Sequence, residues 1–391
     1  MVPNGETITA DLARIREAAG SVKDLLLADL TLIGEIPAPT FQEDQRADFL
    51  VGRLAEAGYQ NCLIDSVGNV SGSLPGAENG PTILLATNLD TVVENVRDQT
   101  IEIHSDRVVG PFVGDNSIAV AALATLPALL DRLALRFRLG IQVVAAARCL
   151  GRGNLEGIRR FVADHPGPYA AGLCIESVQL GRLNYTCMGM IRGEIAARLP
   201  DNFNWEQYGA TGSIIPLTDV IQRISQIPLP NRPLTSVIMG AIDGGFSYNN
   251  VARDTKLRFE LRSESLDILK QVAQQIDDIA EDVAAQAGME VKFETVAERA
   301  PGGIDISHPL VRTARAILTS LGVQPQMYAT TSLMAALRDA KIPAITIGIT
   351  TGERKSDLDE IDEAVAIPPL STGMAQLVAL LQAIDGGLPT P

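Results

Sequence analysis

The feature that most constrains the fold is an alternation of short, almost wholly apolar segments with longer amphipathic ones. Residues 82–87 (TILLAT) and 139–147 (LGIQVVAAA) are typical of strands buried on both faces of a parallel sheet. Between them a helical pattern runs from Gly114 to about Leu135. Strands that alternate with helices in this way predict an α/β layer built on a mostly parallel sheet.

The pattern changes near Met190. A half-exposed strand is followed by a helix, two strands, an amphipathic helix and a last strand, which is the βαββαβ order of ferredoxin-like domains. The α/β pattern resumes at about residue 308. We therefore predict a discontinuous α/β domain over residues 1–189 and 298–391, with a smaller domain inserted at residues 190–297.

Charge and composition restrict the partners. A formal net charge of −15 and a pI of about 4.7 repel phosphate backbones and anionic lipid, so neither a nucleic acid nor a membrane is expected. No apolar run approaches the roughly 20 residues that span a bilayer. The four cysteines are scattered without a CxxC pair, which favours a reducing compartment such as the cytoplasm.

Several segments, in this order, resemble the M20 family of metallopeptidases and amidohydrolases, which includes acetylornithine deacetylase-like, aminoacylase-like and carboxypeptidase-like enzymes. The segments are residues 75–90, 110–126, 181–189, 262–264 and 342–348. The resemblance implies a phosphorylase/hydrolase-like catalytic domain with an inserted ferredoxin-like lid. It also implies that residues 190–297 pair with a second subunit to form a homodimer.

In that family two metal ions lie at strand ends, held by His, Asp and Glu, and a glutamate acts as general base on a bridging water. This sequence has only three histidines, His104, His165 and His308, and none falls on a matched motif. The first motif, normally His-x-Asp, is Asn88-Leu89-Asp90 here. The next keeps its bridging acid as Asp115.

The family's Glu-Glu pair corresponds to Arg148-Cys149-Leu150, with Cys149 at the base and Leu150 at a ligand position. A one-residue slip would place Arg148 and Cys149 there instead, and neither register supplies a carboxylate. The fourth ligand is retained as Glu176, and the last ligand histidine is replaced by Ser356. The lid histidine that reaches the partner's site corresponds to Phe203.

Two remnant metal ligands are therefore predicted, Asp115 and Glu176, against lost positions at Asn88, Leu150 and Ser356. Zinc prefers nitrogen and sulfur donors, so we expect no zinc and no other cofactor, although the acids leave room for Mg²⁺ or Ca²⁺.

Asp90 and Cys149 are the candidate catalytic residues. The alternative for Asp90, as for Asp115, is that it caps a helix or binds strand-end amides, and Glu176 has a similar structural alternative. A Cys149 nucleophile would need a group that makes it a thiolate, whereas a buried cysteine is commonly inert.

Three lid residues are candidate substrate-binding residues by resemblance: Arg262, Asn249 and Gly245. Arg262 matches an arginine that family members use for a substrate carboxylate, so a small carboxylate or a peptide is the expected ligand. The alternative is that Arg262 forms a salt bridge within the lid.

We therefore predict an M20-like protein that is non-canonical or inactive and binds a small carboxylate or a protein partner. A second hypothesis is an amide hydrolase or acyl transferase for N-acyl amino acids or peptides that works without zinc or with another metal. A third is an ordinary zinc-dependent M20 peptidase.

Overall fold

The computed structural model describes residues 5–91, 99–202, 212–353 and 362–388. The chain divides into two compact units. The first unit comprises Met1–Thr186 and Gly303–Pro391, and the second comprises Cys187–Gly302.

The helices and strands of both units are numbered in chain order. The described helices are α1 (Gly5–Ser21), α2 (Lys23–Gly34), α3 (Asp44–Glu56), α4 (Ile118–Arg132), α5 (Glu156–Asp164), α6 (Ile214–Ser225), α7 (Leu266–Ala287), α8 (Pro309–Ser320), α9 (Met334–Asp339) and α10 (Leu370–Asp385). The described strands are β1 (Gln60–Ile64), β2 (Val70–Leu74), β3 (Thr82–Asn88), β4 (Glu102–Ile103), β5 (Arg107–Pro111), β6 (Ile141–Ala146), β7 (Tyr169–Val178), β8 (Leu183–Asn184), β9 (Thr186–Cys187), β10 (Gly189–Arg198), β11 (Thr235–Gly244), β12 (Asp254–Ser263), β13 (Glu290–Arg299), β14 (Gly302–Gly303), β15 (Ala344–Thr350), β16 (Gly352–Glu353) and β17 (Asp362–Ala366).

The first unit is built on a seven-stranded sheet in the order β1-β2-β6-β3-β7-β15-β8. The four central strands, β6, β3, β7 and β15, are parallel, and the remaining pairs are antiparallel. β3 and β15 are buried almost along their whole length because the sheet contributes to a core that also contains the apolar residues of α4 and α10.

The parallel register brings the carboxyl ends of the central strands to one edge of the sheet. Asn88 at the end of β3 pairs with Ala146 at the end of β6, and Glu176 near the end of β7 pairs with Gly348. Ligands of open α/β sheets bind at this edge. The predicted metal and catalytic positions of the first unit therefore follow or lie near these strand ends.

β1 and β2 are antiparallel neighbours joined by a turn. The pattern of residues 62–70 predicts a strand with a turn at Val67-Gly68-Asn69, and the structure divides this segment between two strands at that turn. The Oδ1 atom of Asp65 accepts hydrogen bonds from the backbone amides of Val67, Gly68 and Asn69, and Gly68 adopts a φ of +99°. A side chain that satisfies three consecutive amides makes the reversal stable, and glycine admits the left-handed backbone.

The second unit has the order β10, α6, β11, β12, α7, β13 and an antiparallel sheet in the order β11-β12-β10-β13. Its core lies between this sheet and the two helices, with Ile195, Leu261 and Ile276 among the buried residues. The predicted α/β class, with a mainly parallel sheet and a ferredoxin-like lid, is confirmed.

A helical segment from Val113 to Arg132 is long and apolar enough to cross a membrane, contrary to the expectation that no run reaches this length. It is a core helix. Most of its residues are buried inside the first unit, where α4 contacts α2 and β7.

Candidate functional site

Asn88 occupies the position at which the resemblance places a metal-binding histidine. Its side chain is buried, and both of its polar atoms are bonded within the chain. Its Nδ2 atom donates to the carbonyl oxygen of Asp90 at 3.0 Å, and its Oδ1 atom accepts from Nδ2 of Asn116 at 2.9 Å. The Asn88 carboxamide therefore helps to close the end of β3.

Asn116 connects β3 to β7 through one carboxamide. Its Nδ2 atom lies 2.7 Å from Oγ1 of Thr87 and 3.2 Å from the carbonyl oxygen of Ile175. Its Oδ1 atom accepts from both the backbone amide and the hydroxyl of Ser177, each at 2.6 Å. We call Thr87, Asn88, Asn116 and Ser177 the amide network. All four side chains are buried and uncharged.

Asp115 lies in the tight turn Val113–Ser117 that precedes α4, and it joins Asn116 through a cis peptide bond. The neighbouring Gly114 amide donates to Oε2 of Glu363 at 2.7 Å. Glu363 lies on β17 and is buried. Sequence reasoning missed Glu363, because its contact with Gly114 joins residues 249 positions apart.

Glu176 forms an ion pair with Arg182, with Oε2 and Nη1 3.1 Å apart. Both side chains are mostly buried. Glu176 is one of the two predicted remnant metal ligands, and in the structure its carboxylate is paired with the guanidinium of Arg182. Arg182 lies in the family-like segment 181–189, and the sequence alone does not indicate this ion pair.

Within residues 5–91, 99–202, 212–353 and 362–388, no three His, Cys, Asp or Glu side chains are grouped so that they could hold a metal ion. Asp115 and Glu176 are both in this part of the chain. Ser356 and Phe203 lie outside the described residues, so the positions matched to the last ligand and to the lid histidine have no structural account.

Asp90 is completely buried, and its Oδ2 atom accepts three hydrogen bonds. The donors are Oγ1 of Thr40 at 2.8 Å and the backbone amides of Cys149 and Leu150, both at 2.9 Å. Burial raises the pKa of the Asp90 carboxyl to about 6, although the hydrogen bonds from Leu150 and Thr40 favour the ionised form. The contacts fit the strand-end role, and the catalytic role stays a prediction.

Cys149 follows the end of β6 and is only 2% exposed. Its Sγ atom lies 3.2 Å from the carbonyl oxygen of Ala146 and 3.4 Å from that of Ala147. Two carbonyl acceptors favour the thiol over the thiolate, since a thiolate has no proton to donate. The backbone amide of Cys149 thus donates to Asp90, while its buried thiol has surroundings typical of an inert cysteine.

Arg148 occupies the general-base position in the alternative alignment, which is shifted by one residue. Its backbone adopts a φ of +51°, and its amide donates to Oε1 of the buried Glu43 at 2.8 Å. Its guanidinium lies 5.8 Å from the ring centroid of Phe41 and pairs with Glu156 at 3.1 Å. A partly exposed cation over an aromatic ring is therefore present close to the ends of β3 and β6.

In the lid, Arg262 donates through Nε to Oε1 of Glu260, and Arg192 donates to the other oxygen of Glu260 at 2.7 Å. Burial alone would raise the pKa of the Glu260 carboxyl, but the bonds and charges of Arg192 and Arg262 bring it below its ordinary value. The lid salt bridge that the sequence left open is therefore present.

The other two lid candidates lie in the exposed loop after β11. Gly245 adopts a φ of +71°, and the Oδ1 atom of Asn249 accepts from the Ser247 hydroxyl at 3.0 Å. The roles of Gly245, Asn249 and Arg262 in substrate binding stay predictions.

No family model matches this sequence, and no curated protein matches it. Solved structures do. The dipeptidase Dug1p from Saccharomyces cerevisiae superposes with a TM-score of 0.80 at 13% identity, over 97% of this chain and 99% of that one. A tripeptidase from Staphylococcus aureus gives 0.72 at 17% identity, over 93% and 99%.

The YXEP protein of Bacillus subtilis, described as a dinuclear metal-binding peptidase of the M20 family, gives a TM-score of 0.61 at 16% identity, over 93% of this chain and 98% of that one. The fold of this chain is that of the M20 peptidases and amidohydrolases. The recognised resemblance is confirmed at the level of the fold.

Proposed function

We propose that this chain is a non-hydrolytic relative of the M20 peptidases that binds a small carboxylate or a peptide. The observation that supports the proposal is that polar side chains at the ends of β3 and β7 already have partners within the chain. Two of the residues at the matched ligand positions are bonded to the chain itself: Asn88 to Asn116, and Glu176 to Arg182. Leu150 offers no donor side chain at all.

This donor set does not fit a pair of zinc ions. Zinc takes imidazole, thiolate or carboxylate ligands, and a carboxamide whose oxygen already accepts a hydrogen bond is a poor substitute. Oε2 of Glu176 is already paired with Arg182, and Oδ1 of Asn88 already accepts from Asn116. No zinc-activated water is therefore part of the proposed function, and no other cofactor is proposed.

Elemental analysis tests this directly. The full chain is incubated with ZnCl₂, passed through a desalting column, and analysed for bound zinc beside its activity on dipeptides and N-acetyl amino acids. We expect well under one zinc per chain and no turnover. About two zinc ions per chain, the number of a two-metal site, would establish an ordinary zinc peptidase instead.

The second candidate function is a zinc-independent amide hydrolase or acyl transferase. The observation that favours it is the buried Asp90 carboxyl, whose pKa of about 6 suits proton transfer near neutral pH. Turnover that persists in a chelator and is lost in both Asp90→Asn and Cys149→Ala would select this function. The two carbonyl contacts of the Cys149 thiol argue against a nucleophilic thiolate.

The chain is also proposed to form a homodimer through residues 190–297. β11 is an edge strand of the lid sheet, and apolar side chains on and just after it are exposed, including Ile242 at 62% and Phe246 at 87%. An exposed apolar edge strand is a surface for pairing with another chain. We propose that a second copy covers it, in the cytoplasm that the scattered cysteines favour.

Light scattering coupled to size exclusion checks the dimer. The chain should elute with twice its monomer mass, and Ile242→Lys should halve that mass. Ile103→Lys, which changes a similarly exposed isoleucine in the first unit, is the matched control and should remain dimeric. A monomeric parent protein would refute the proposal.

A further inference from the structure

A cavity of about 290 Å³ opens in the first unit at the amino end of β15, where Ala344 and Pro343 form part of its wall. This is the end of the sheet away from the amide network. Glu176 pairs with Gly348, four residues further along β15, which corresponds to about 13 Å at 3.3 Å per residue. The cavity is therefore separate from the predicted metal and catalytic positions.

Basic side chains are concentrated in its wall. Arg338 lies at the end of α9, Lys341 follows two residues after that helix, and His308 precedes α8. None of the nine described residues that form the wall is acidic. Against a net charge of −15 for the whole chain, this wall has the sign that attracts an anion.

His308 has a fixed tautomer in this position. Its Nδ1 atom accepts a hydrogen bond from the backbone amide of Leu310 at 3.2 Å, as the cap of α8. An accepting Nδ1 carries no proton in the neutral ring, so the ring proton is on Nε2 and that nitrogen is a donor. Burial lowers the pKa of His308, which keeps the ring in this neutral form at pH 7.

Arg338 is partly engaged, because its guanidinium contacts the neighbouring Asp339 carboxylate. Lys341 is an exposed residue of the cavity wall and adopts a φ of +60°. Lys341 is therefore the more accessible of the two cations, since the Arg338 side chain is only 15% exposed.

The remainder of the wall is apolar, with contributions from Ile304, Met334, Ile342 and Pro343. Pockets for small molecules combine a mostly apolar wall with a few polar groups, and their volumes run from about 300 to 1,000 Å³. A volume at the lower limit admits only a small molecule. A bare inorganic anion would leave the apolar wall in contact with water.

We propose that this cavity binds a small monocarboxylate with an apolar body, its carboxylate toward Lys341, Arg338 and His308 and its body against Met334. The proposal concerns this cavity alone and does not depend on the proposed loss of zinc catalysis at the carboxyl edge of the sheet.

Benzoate is the probe, with benzamide as its uncharged analogue and inorganic phosphate as an anion without an apolar body. Titration calorimetry on the full chain should show saturable benzoate binding with a dissociation constant of about 1 mM or lower, and none for benzamide. Lys341→Gln and Arg338→Gln should each weaken benzoate binding at least tenfold. Lys270→Gln removes the same charge from an exposed position on α7 and should leave it unchanged.

Methyl spectra of chain labelled at the methionine ε-carbon locate the ligand. Benzoate should shift the Met334 signal, which is assigned through Met334→Leu, and leave that of the exposed Met327 in place. Saturable binding without a Met334 shift, equal affinity of Lys341→Gln and the parent chain, or phosphate binding as tight as benzoate binding would each overturn the proposal. So would the absence of any saturable benzoate binding up to about 10 mM, a range at which even weak small-ligand sites fill.

Discussion

The two ends of the central sheet differ in what their polar side chains do. At the carboxyl edge, Asn88, Asn116, Glu176 and Asp90 all bond to partners within the first unit. At the amino edge, Lys341 and His308 line an open cavity. The first set forms hydrogen bonds and an ion pair at the strand ends where the sequence resemblance predicts metal ligands. The second set is directed at a space that a ligand could occupy, so conformational stability and binding are expected to respond to different substitutions.

The largest expected effect is on stability at the carboxyl edge. Asn116→Ala removes the acceptor of the Ser177 hydroxyl proton together with several other buried hydrogen bonds, and each buried polar group left unsatisfied costs about 1–3 kcal/mol. We expect the free energy of unfolding to fall by about 4 kcal/mol, as measured by urea denaturation followed by circular dichroism. Asn249→Ala, in an exposed loop, is the control and should have almost no effect. A loss under about 1 kcal/mol would show that the amide network does not stabilise the fold.

The next effect depends on pH. The pKa of Asp90 is raised from an ordinary value of 3.8 to about 6, so the folded chain binds this proton more tightly than the unfolded chain. The resulting stabilisation is complete below about pH 4 and is lost as the pH rises through 6, by about 3 kcal/mol at 1.4 kcal/mol per unit. The groups that face this carboxyl are Thr40, Glu43 and Arg46, with the amides of Cys149 and Leu150.

Unfolding titrations of the parent chain and Asp90→Asn at pH 4 and pH 7 measure the difference. The parent should lose stability relative to the variant as the pH rises. Asp305→Asn provides a control of opposite sign, because hydrogen bonds from Ser307 lower the pKa of Asp305. A pH-independent difference between the parent and Asp90→Asn would mean that Asp90 ionises as an ordinary carboxylate.

A smaller effect is expected at the Glu176–Arg182 ion pair. Arg182→Met leaves a mostly buried carboxylate without its cation and should reduce stability by about 2 kcal/mol. The double variant Glu176→Met with Arg182→Met should recover most of this loss, since an apolar pair can replace a buried ion pair at little cost. Thermal denaturation compares the three proteins. No recovery in the double variant would point to packing by the Arg182 stem as the cause.

The smallest stability effect should come from the amino edge. Lys341→Gln changes an exposed side chain and should alter the free energy of unfolding by less than about 0.5 kcal/mol. The same variant should lose benzoate affinity at least tenfold, so binding and stability are separated in one protein. A destabilisation above about 1 kcal/mol would mean that Lys341 belongs to the scaffold and would remove the contrast between the two edges.

Long elements were predictable because their patterns repeat. Helix α7 is the amphipathic helix predicted within residues 190–297, and β3 and β6 begin and end within two residues of the predicted limits. Short elements were not. Helix α9 has six residues and strand β17 has five, too few for a hydrophobic period to stand out. The antiparallel pairing of β8 and of β1 with β2 was also not predicted, since it depends on contacts between distant residues.

The candidate site divides in the same way. The types of residue at the matched positions were read directly from the sequence, including Asn88, Leu150 and Glu176. The hydrogen bonds around these positions were not predictable, because they join residues far apart in the sequence. Thr87 donates to Ile175, 88 positions away, and Gly114 donates to Glu363, 249 positions away. The cavity at His308, Arg338 and Lys341 had no sequence signal, since its wall comes from three separate segments with no motif.

The sequence by itself determined the class of fold and the kinds of donor atom available at the strand ends, because both depend on local pattern and residue identity. Only the tertiary structure decided which of those atoms are already bonded within the chain and which face an open cavity. Hydrogen bonds and ion pairs form between groups that are close in space, and the folded backbone alone brings such groups together.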